Sequence, residues 1–118
     1  MPRFVILQHD DPRGLHWDLM LETGSVLATW ALPLPPNRNH EFPAQSLADH
    51  RAAYLDYEGP VSNGRGKVVR WDTGTYQLIE QTDGRLTLNL SGDKLVGQAE
   101  LTRLSDGADR WQFRLTVH

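Results

Sequence analysis

The sequence predicts a mostly β fold, a small antiparallel β-barrel with one or two short helices. Three observations point there. Short runs of alternating apolar and polar residues recur along the whole chain. Turn-forming residues such as Asp83-Gly84 and Ser91-Gly92-Asp93 separate them. A single stretch departs from the β pattern. Many short strands with one helix fit a closed or nearly closed antiparallel sheet better than a layered α/β fold.

Taken in order, residues 4–8 (Phe-Val-Ile-Leu-Gln) form the first predicted strand. Residues 17–22 alternate, with Trp17, Leu19 and Leu21 on one face and Asp18, Met20 and Glu22 on the other. Thr23-Gly24-Ser25 then turns the chain into residues 26–32, which makes 16–32 a hairpin. After the loop Pro33-Leu34-Pro35-Pro36, residues 46–56 are rich in Leu, Ala, Arg and Tyr. Ser46 followed by Asp49 resembles a helix N-cap, and Gly59-Pro60 would stop a helix, so this segment is predicted helical. Further strands are predicted at 66–71, 75–81, 85–90, 97–104 and 110–117. Asp72-Thr73-Gly74, Asp83-Gly84, Ser91-Gly92-Asp93 and Ser105-Asp106-Gly107 are their turns. No repeat or linker interrupts the pattern, so residues 1–118 are expected to form one domain. The four tryptophans, Trp17, Trp30, Trp71 and Trp111, all fall in predicted strands and read as packing residues.

Composition excludes several classes. With 39% hydrophobic residues and no long apolar run, nothing approaches the roughly 20 residues that span a bilayer as a helix. The N-terminus is too short in apolar residues for a signal peptide. The absence of cysteine rules out disulfides and thiolate metal sites, and a cytoplasmic monomer is the expectation. A formal net charge of −3 gives no overall attraction to nucleic acid. Such a partner would need a metal or a local basic patch, for which Arg65, Lys67 and Arg70 are the candidates.

Two groups of residues could carry chemistry. His9, His16 and Asp18 fall within ten residues. On a strand, His16 and Asp18 share a face, and a loop carrying His9 could fold back to complete an N,N,O set for a divalent metal. Spacing alone leaves open the other reading, a turn histidine, a strand-end histidine and a hydrogen-bonded carboxylate. His50 and Tyr54 would share a face of the predicted helix. Taken alone that pair reads first as packing, and secondly as a proton donor beside a phenol that could serve phosphate-ester chemistry. Gly64-Arg65-Gly66-Lys67 lacks the phosphate-loop pattern and reads as a turn entering a strand.

A larger pattern joins these residues. The run Arg3-Phe4-Val5-Ile6, His9-Asp10, Leu15-His16-Trp17-Asp18, Leu21-Glu22 and Trp30-Ala31-Leu32-Pro33 resembles the 3′-phosphoesterase domain of bacterial DNA ligase D. The likeness continues through Asp49-His50, Tyr54, Tyr57-Glu58-Gly59, Gly66-Lys67-Val68 and Trp71-Asp72-Thr73-Gly74. Towards the C-terminus it takes in Leu86, Leu88, Leu90, Gly92, Leu95-Val96-Gly97 and Leu101. The resemblance implies a small β-barrel enzyme that trims nucleic-acid 3′ ends with manganese, removing a terminal ribonucleoside and then the 3′-phosphate. It implies His9, His16 and Asp18 as ligands to Mn2+ or another divalent metal, with His50 and Tyr54 as catalytic residues near the scissile phosphate. Ligase or polymerase partners would act in trans.

The departures are specific. The family motif carries an arginine two residues after the aspartate, where this chain has Met20. A family lysine is replaced by Leu34, and one extra residue separates His9 from His16. A thioether cannot replace the two-pronged hydrogen bonding of a guanidinium to phosphate. Arg13, in the lengthened loop, is the candidate to restore substrate-binding charge. Loss of one transition-state cation typically costs on the order of 10²–10³ in rate. Three outcomes follow: a weak phosphoesterase, one with a different substrate such as a small phosphate ester, or a non-catalytic barrel that binds DNA ends or a repair protein.

Overall fold

The computed structural model describes residues 1–104 and 109–118. Its strands are β1 (Arg3–Asp11), β2 (Gly14–Thr23), β3 (Val26–Leu32), β4 (His40–Arg51), β5 (Gly59–Pro60), β6 (Lys67–Thr82), β7 (Arg85–Gly92), β8 (Val96–Arg103) and β9 (Arg110–Val117). The sheet runs β1-β2-β3-β4-β9-β8-β7-β6, and β6 pairs back onto β1, so eight antiparallel strands close on themselves as a barrel-like ring. Closure removes the exposed edges that an open sheet would leave. The short β5 adds onto β6 outside the ring. Among the described residues no helix is long and apolar enough to cross a membrane.

Side-chain alternation gives the ring two faces. Phe4, Ile6, Leu19, Leu21, Trp30, Leu32, Phe42, Tyr76, Leu88, Leu101 and Phe113 fill the interior, with contributions from all eight strands. Each such side chain stabilises the fold by roughly 1.5–3 kcal/mol when fully buried. Trp17, Trp71 and Trp111 pack against this core, as expected of packing residues. On the outer wall of β1, β2, β3 and β6 sits a second cluster, Val5, Leu7, Met20, Leu27 and Val68. It is covered by Leu55, Tyr54 and Val61 from the segment after β4.

Two expectations are corrected. Residues 46–56 are not an α-helix: β4 continues to Arg51, and only Ala52–Leu55 turn as a 3-10 helix. Helix propensity is a weak prior, and here the β3 backbone needs a partner, which β4 supplies through Val26↔Arg51, Leu27↔His50 and Thr29↔Leu47. Nor is Asp72-Thr73-Gly74 a turn. β6 runs through it unbroken, with a register shift against β1 between Ile6 and Leu7. The Asp72 side chain accepts hydrogen bonds from distant backbone amides instead of capping a local bend. The predicted turn Ser105-Asp106-Gly107 lies outside the described residues.

Candidate metal centre

The site grows from the β1–β2 hairpin. Pro12 and Arg13 form its two-residue tip between the paired Asp11 and Gly14, and this short tip fixes the register. His9 then stands directly opposite His16, and Leu7 opposite Asp18. His9 therefore comes from a strand, not from a loop folding back. The two imidazoles have ring centroids 4.6 Å apart. Asp18, two residues on from His16, shares their face on the outer wall of the ring.

His9 is held at both ring nitrogens. Its Nε2 is 2.7 Å from the Arg65 carbonyl oxygen. A carbonyl can only accept, so Nε2 donates to it, and Nδ1, 3.1 Å from Asp18 Oδ2, donates to the carboxylate when the ring carries its second proton. The hydrogen bond to Asp18 raises the His9 pKa above its ordinary value. Burial opposes the rise, and the Arg65 carbonyl and Asp11 add to it. That carbonyl is positioned by a tight loop. Gly66 has φ +80°, and a Cβ there would overlap the Asp10 carbonyl oxygen, so only glycine lets the loop press against β1.

Asp18 is 2% exposed. Burial pushes its carboxyl pKa up, but the imidazoles of His16 and His9 hold it net below the usual carboxylate value. Its Oδ1 lies 3.0 Å from His16 Nε2, and among the described residues no well-formed hydrogen bond reaches this buried oxygen. A buried carboxylate oxygen without a donor is costly. Each of His9, His16 and Asp18 offers one ligand atom, and these atoms all lie within 4.8 Å of one another. Two imidazole nitrogens and an unsatisfied carboxylate oxygen form a donor set that fits a divalent cation. The Arg65 carbonyl is the outer-sphere partner that such a ligating histidine ordinarily has.

Two hollows flank this centre. The smaller, about 390 Å³, is lined by His9 together with Met20, His50, Tyr54, Arg51 and Arg65. His50 sits on β4, not on a helix, and its Nδ1 donates to the Ala48 carbonyl oxygen at 2.9 Å. Tyr54 comes from the 3-10 turn, and the two rings meet edge-on with centroids 5.6 Å apart. A strand end followed by one tight turn thus brings together the pair that helical spacing was expected to join. Met20 is 1% exposed and belongs to the outer apolar cluster. The larger hollow, about 850 Å³, is lined by His16, Arg13, Asp11, Ala31, Leu47 and Arg110 among others.

Arg13 reaches back to Asp11: its backbone N–H donates to Asp11 Oδ1 at 2.9 Å, and its Nε lies 3.4 Å from the same oxygen. The backbone bond comes first among the causes that lower the Asp11 pKa. Sequence reasoning passed over Asp11, whose Oδ2 lies 3.7 Å from His9 Nε2. Its signal was the same i, i+2 spacing on a strand that marked His16 and Asp18. Arg51 and Arg65 were also missed as site residues, although Arg65 belonged to the basic patch.

Residues 7–103 match the family model described as the DNA Ligase D 3′-phosphoesterase domain. Among curated relatives, the multifunctional non-homologous end joining DNA repair protein LigD of Mycobacterium tuberculosis (strain H37Rv) is 37% identical over 117 residues. That alignment takes in 92% of this chain and 15% of the relative. The LigD of Pseudomonas aeruginosa is 32% identical over 111 residues, 86% of this chain and 13% of that protein. For the LigD of Mycolicibacterium smegmatis the values are 33% over 115 residues, 84% and 15%. The chain thus spans about one seventh of the length of these relatives, in keeping with the 13–15% covered. Family match and relatives agree across most of the sequence: the chain belongs to the DNA ligase D 3′-phosphoesterase domain family.

Proposed function

We propose that this domain is a divalent-metal-dependent phosphoesterase that removes phosphate, or a ribonucleoside, from nucleic-acid 3′ ends, with manganese at His9, His16 and Asp18. The observation that carries the reading is the buried Asp18 carboxylate, set between His9 Nδ1 at Oδ2 and His16 Nε2 at Oδ1, with no hydrogen-bond donor to Oδ1 among the described residues. A divalent ion bound there would neutralise phosphate charge and polarise the phosphorus for attack.

The chain's own residues supply the remaining parts. His50 donates from Nδ1 to the Ala48 carbonyl, so Nε2 is the nitrogen left to hold a proton for the leaving oxygen. Tyr54, edge-on to that ring, places its phenol in the same hollow, where it can hydrogen-bond a phosphate oxygen. The larger hollow beside His16 gives room for the nucleotides behind the terminus, with Arg13 on its wall to meet a flanking phosphate. This second hollow favours a nucleic-acid end over a small phosphate ester. The named relatives are end-joining proteins, so action at ends during end joining is part of the same proposal, as are ligase or polymerase partners acting in trans.

One observation supports the rival reading, a barrel that binds ends without cleaving them. Met20 is packed into apolar surroundings, so no cation reaches the phosphate from that position. The deciding experiment is manganese-dependent phosphate release from a DNA primer–template bearing a 3′-phosphate, for wild type and His16→Ala. Release by wild type that is abolished in the variant is the expected result. No release by wild type, with or without metal, sinks the phosphoesterase reading on that substrate. Turnover of a free 3′-nucleotide that matches or exceeds that of the oligonucleotide would move the substrate to a small ester.

A further inference from the structure

We propose that Arg65 is the phosphate-gripping cation of this site, standing in for the charge that Met20 lacks; the inference rests on the phosphoesterase reading above. Met20 is sealed in the outer apolar cluster, so the smaller hollow needs its positive charge from elsewhere. Two guanidinium groups line it, Arg51 and Arg65. Three observations single out Arg65.

First, its backbone is tied to the metal centre, because its carbonyl oxygen takes the proton of His9 Nε2 at 2.7 Å. The side chain therefore starts beside a proposed ligand. Second, the loop that carries it is pinned. Asn63, Gly64 and Gly66 all adopt positive φ, and Gly66 packs where any side chain would strike the Asp10 carbonyl. Third, Arg65 Nε donates to the Ser62 carbonyl at 3.1 Å, which orients the guanidinium plane. Among the described residues its two terminal nitrogens have no protein acceptor. A guanidinium fixed at Nε with both terminal groups open is the form that grips two phosphate oxygens at once. His50 and Tyr54 line the same hollow, so the phosphate held by Arg65 would lie within the set proposed to act on it.

The test has one arm that needs no activity. Inorganic phosphate is titrated into the metal-free chain and followed by NMR at Arg65 Nε–H and the His50 ring. Saturable shifts at both are expected in wild type, with binding about 10- to 100-fold weaker in Arg65→Ala. No saturable shift at Arg65, or Arg65→Ala binding as tightly as wild type, overturns the proposal whatever the enzyme assay shows. So does a loss seen in Arg51→Ala and not in Arg65→Ala. In the second arm, Arg65→Ala raises KM for the 3′-phosphate oligonucleotide about 10- to 100-fold, and Arg65→Lys recovers part of it. Manganese affinity stays at the wild-type value, because His9 is held by the backbone carbonyl of residue 65 and not by its side chain. A fall in manganese affinity would make Arg65 a structural support and overturn the assignment. If wild type shows no turnover, the phosphoesterase reading fails while the NMR arm still decides on Arg65.

Discussion

Asp18 and Asp72 are both buried carboxylates, 2% and 3% exposed, and they are put to opposite uses. Asp72 Oδ1 accepts the backbone N–H groups of Thr73 at 2.9 Å and Lys94 at 3.1 Å, and its Oδ2 accepts that of Leu95 at 2.8 Å. Both oxygens are satisfied, and the bonds tie the β7–β8 turn to β6. Among the described residues Asp18 meets two imidazoles and no backbone amide, and one of its oxygens has no donor. Burial of a charge is therefore no sign of function in itself. The kind of partner decides: amides with nothing left over mark a structural anchor, whereas ligand-type side chains around an open lone pair mark a site.

The largest expected effect breaks the two apart directly. Asp18→Asn should lower manganese-dependent phosphate release by more than the roughly 10- to 100-fold that loss of an outer-sphere partner costs. Its metal-free melting temperature should change little, since the amide oxygen can still accept from His9. Asp72→Asn should do the reverse. Its NH2 group would face a backbone N–H, leaving a buried donor unpaired at about 1–3 kcal/mol, or roughly 5–10 °C in Tm for a chain of this size. Activity per folded molecule should stay near wild type. Calorimetric melting beside the phosphate assay checks both, and equal destabilisation by the two variants would erase the distinction.

A smaller effect sharpens it. Ligand that binds only the folded state stabilises by about 2.7 kcal/mol at one hundred times its Kd. Manganese should thus raise the Tm of wild type and Asp72→Asn alike, and leave Asp18→Asn unmoved. Gly92→Ala tests the anchor from its other side, since a Cβ there would overlap Asp72 Oδ2 and crowd the Phe4 ring. Overpacking of this kind costs about 1–3 kcal/mol. The loss should appear in Tm and not in the manganese-induced rise.

The same contrast explains what sequence alone could show. The face carrying Trp17, Leu19 and Leu21 and the face carrying Asp18 and Met20 were legible, because strand alternation is local. That His16 and Asp18 point together was legible for the same reason. The partner of His9 was not, since its pairing with His16 depends on the two-residue hairpin tip and on β1 extending to Asp11. Residues 46–51 read as helix because Leu, Ala and Arg favour one locally, and the competing demand came from β3, far along the chain. Asp72 read as a turn residue because its real partners, Lys94 and Leu95, lie more than twenty positions away, at separations of 22 and 23. Arg65 was seen as surface charge. Only the fold shows that its loop closes over the His9 ring.

The smallest predicted effect concerns pH, and its sign should reverse with metal. In the metal-free chain, His9 has a pKa raised above the ordinary value of about 6.5, chiefly by its hydrogen bond to Asp18. A raised folded pKa means that the protonated imidazole stabilises the fold fully below the unfolded value, and that this contribution fades as pH climbs through the folded one. Asp18, held below its ordinary value, contributes in the opposite sense, with stability present above the unfolded pKa and lost as pH falls through the folded one. Metal-free Tm should accordingly decline from about pH 6.5 upward as His9 loses its proton. With saturating manganese the proton becomes a competitor, because the imidazole must be neutral to ligate. Over that same interval Tm should then rise. No comparable crossing is expected in Asp18→Asn, where the partner that raises the His9 pKa is gone and the ligand set is broken. Parallel pH dependences with and without manganese in wild type would show that the proton and the metal do not share His9, and the contrast between the two aspartates would lose its chemical basis.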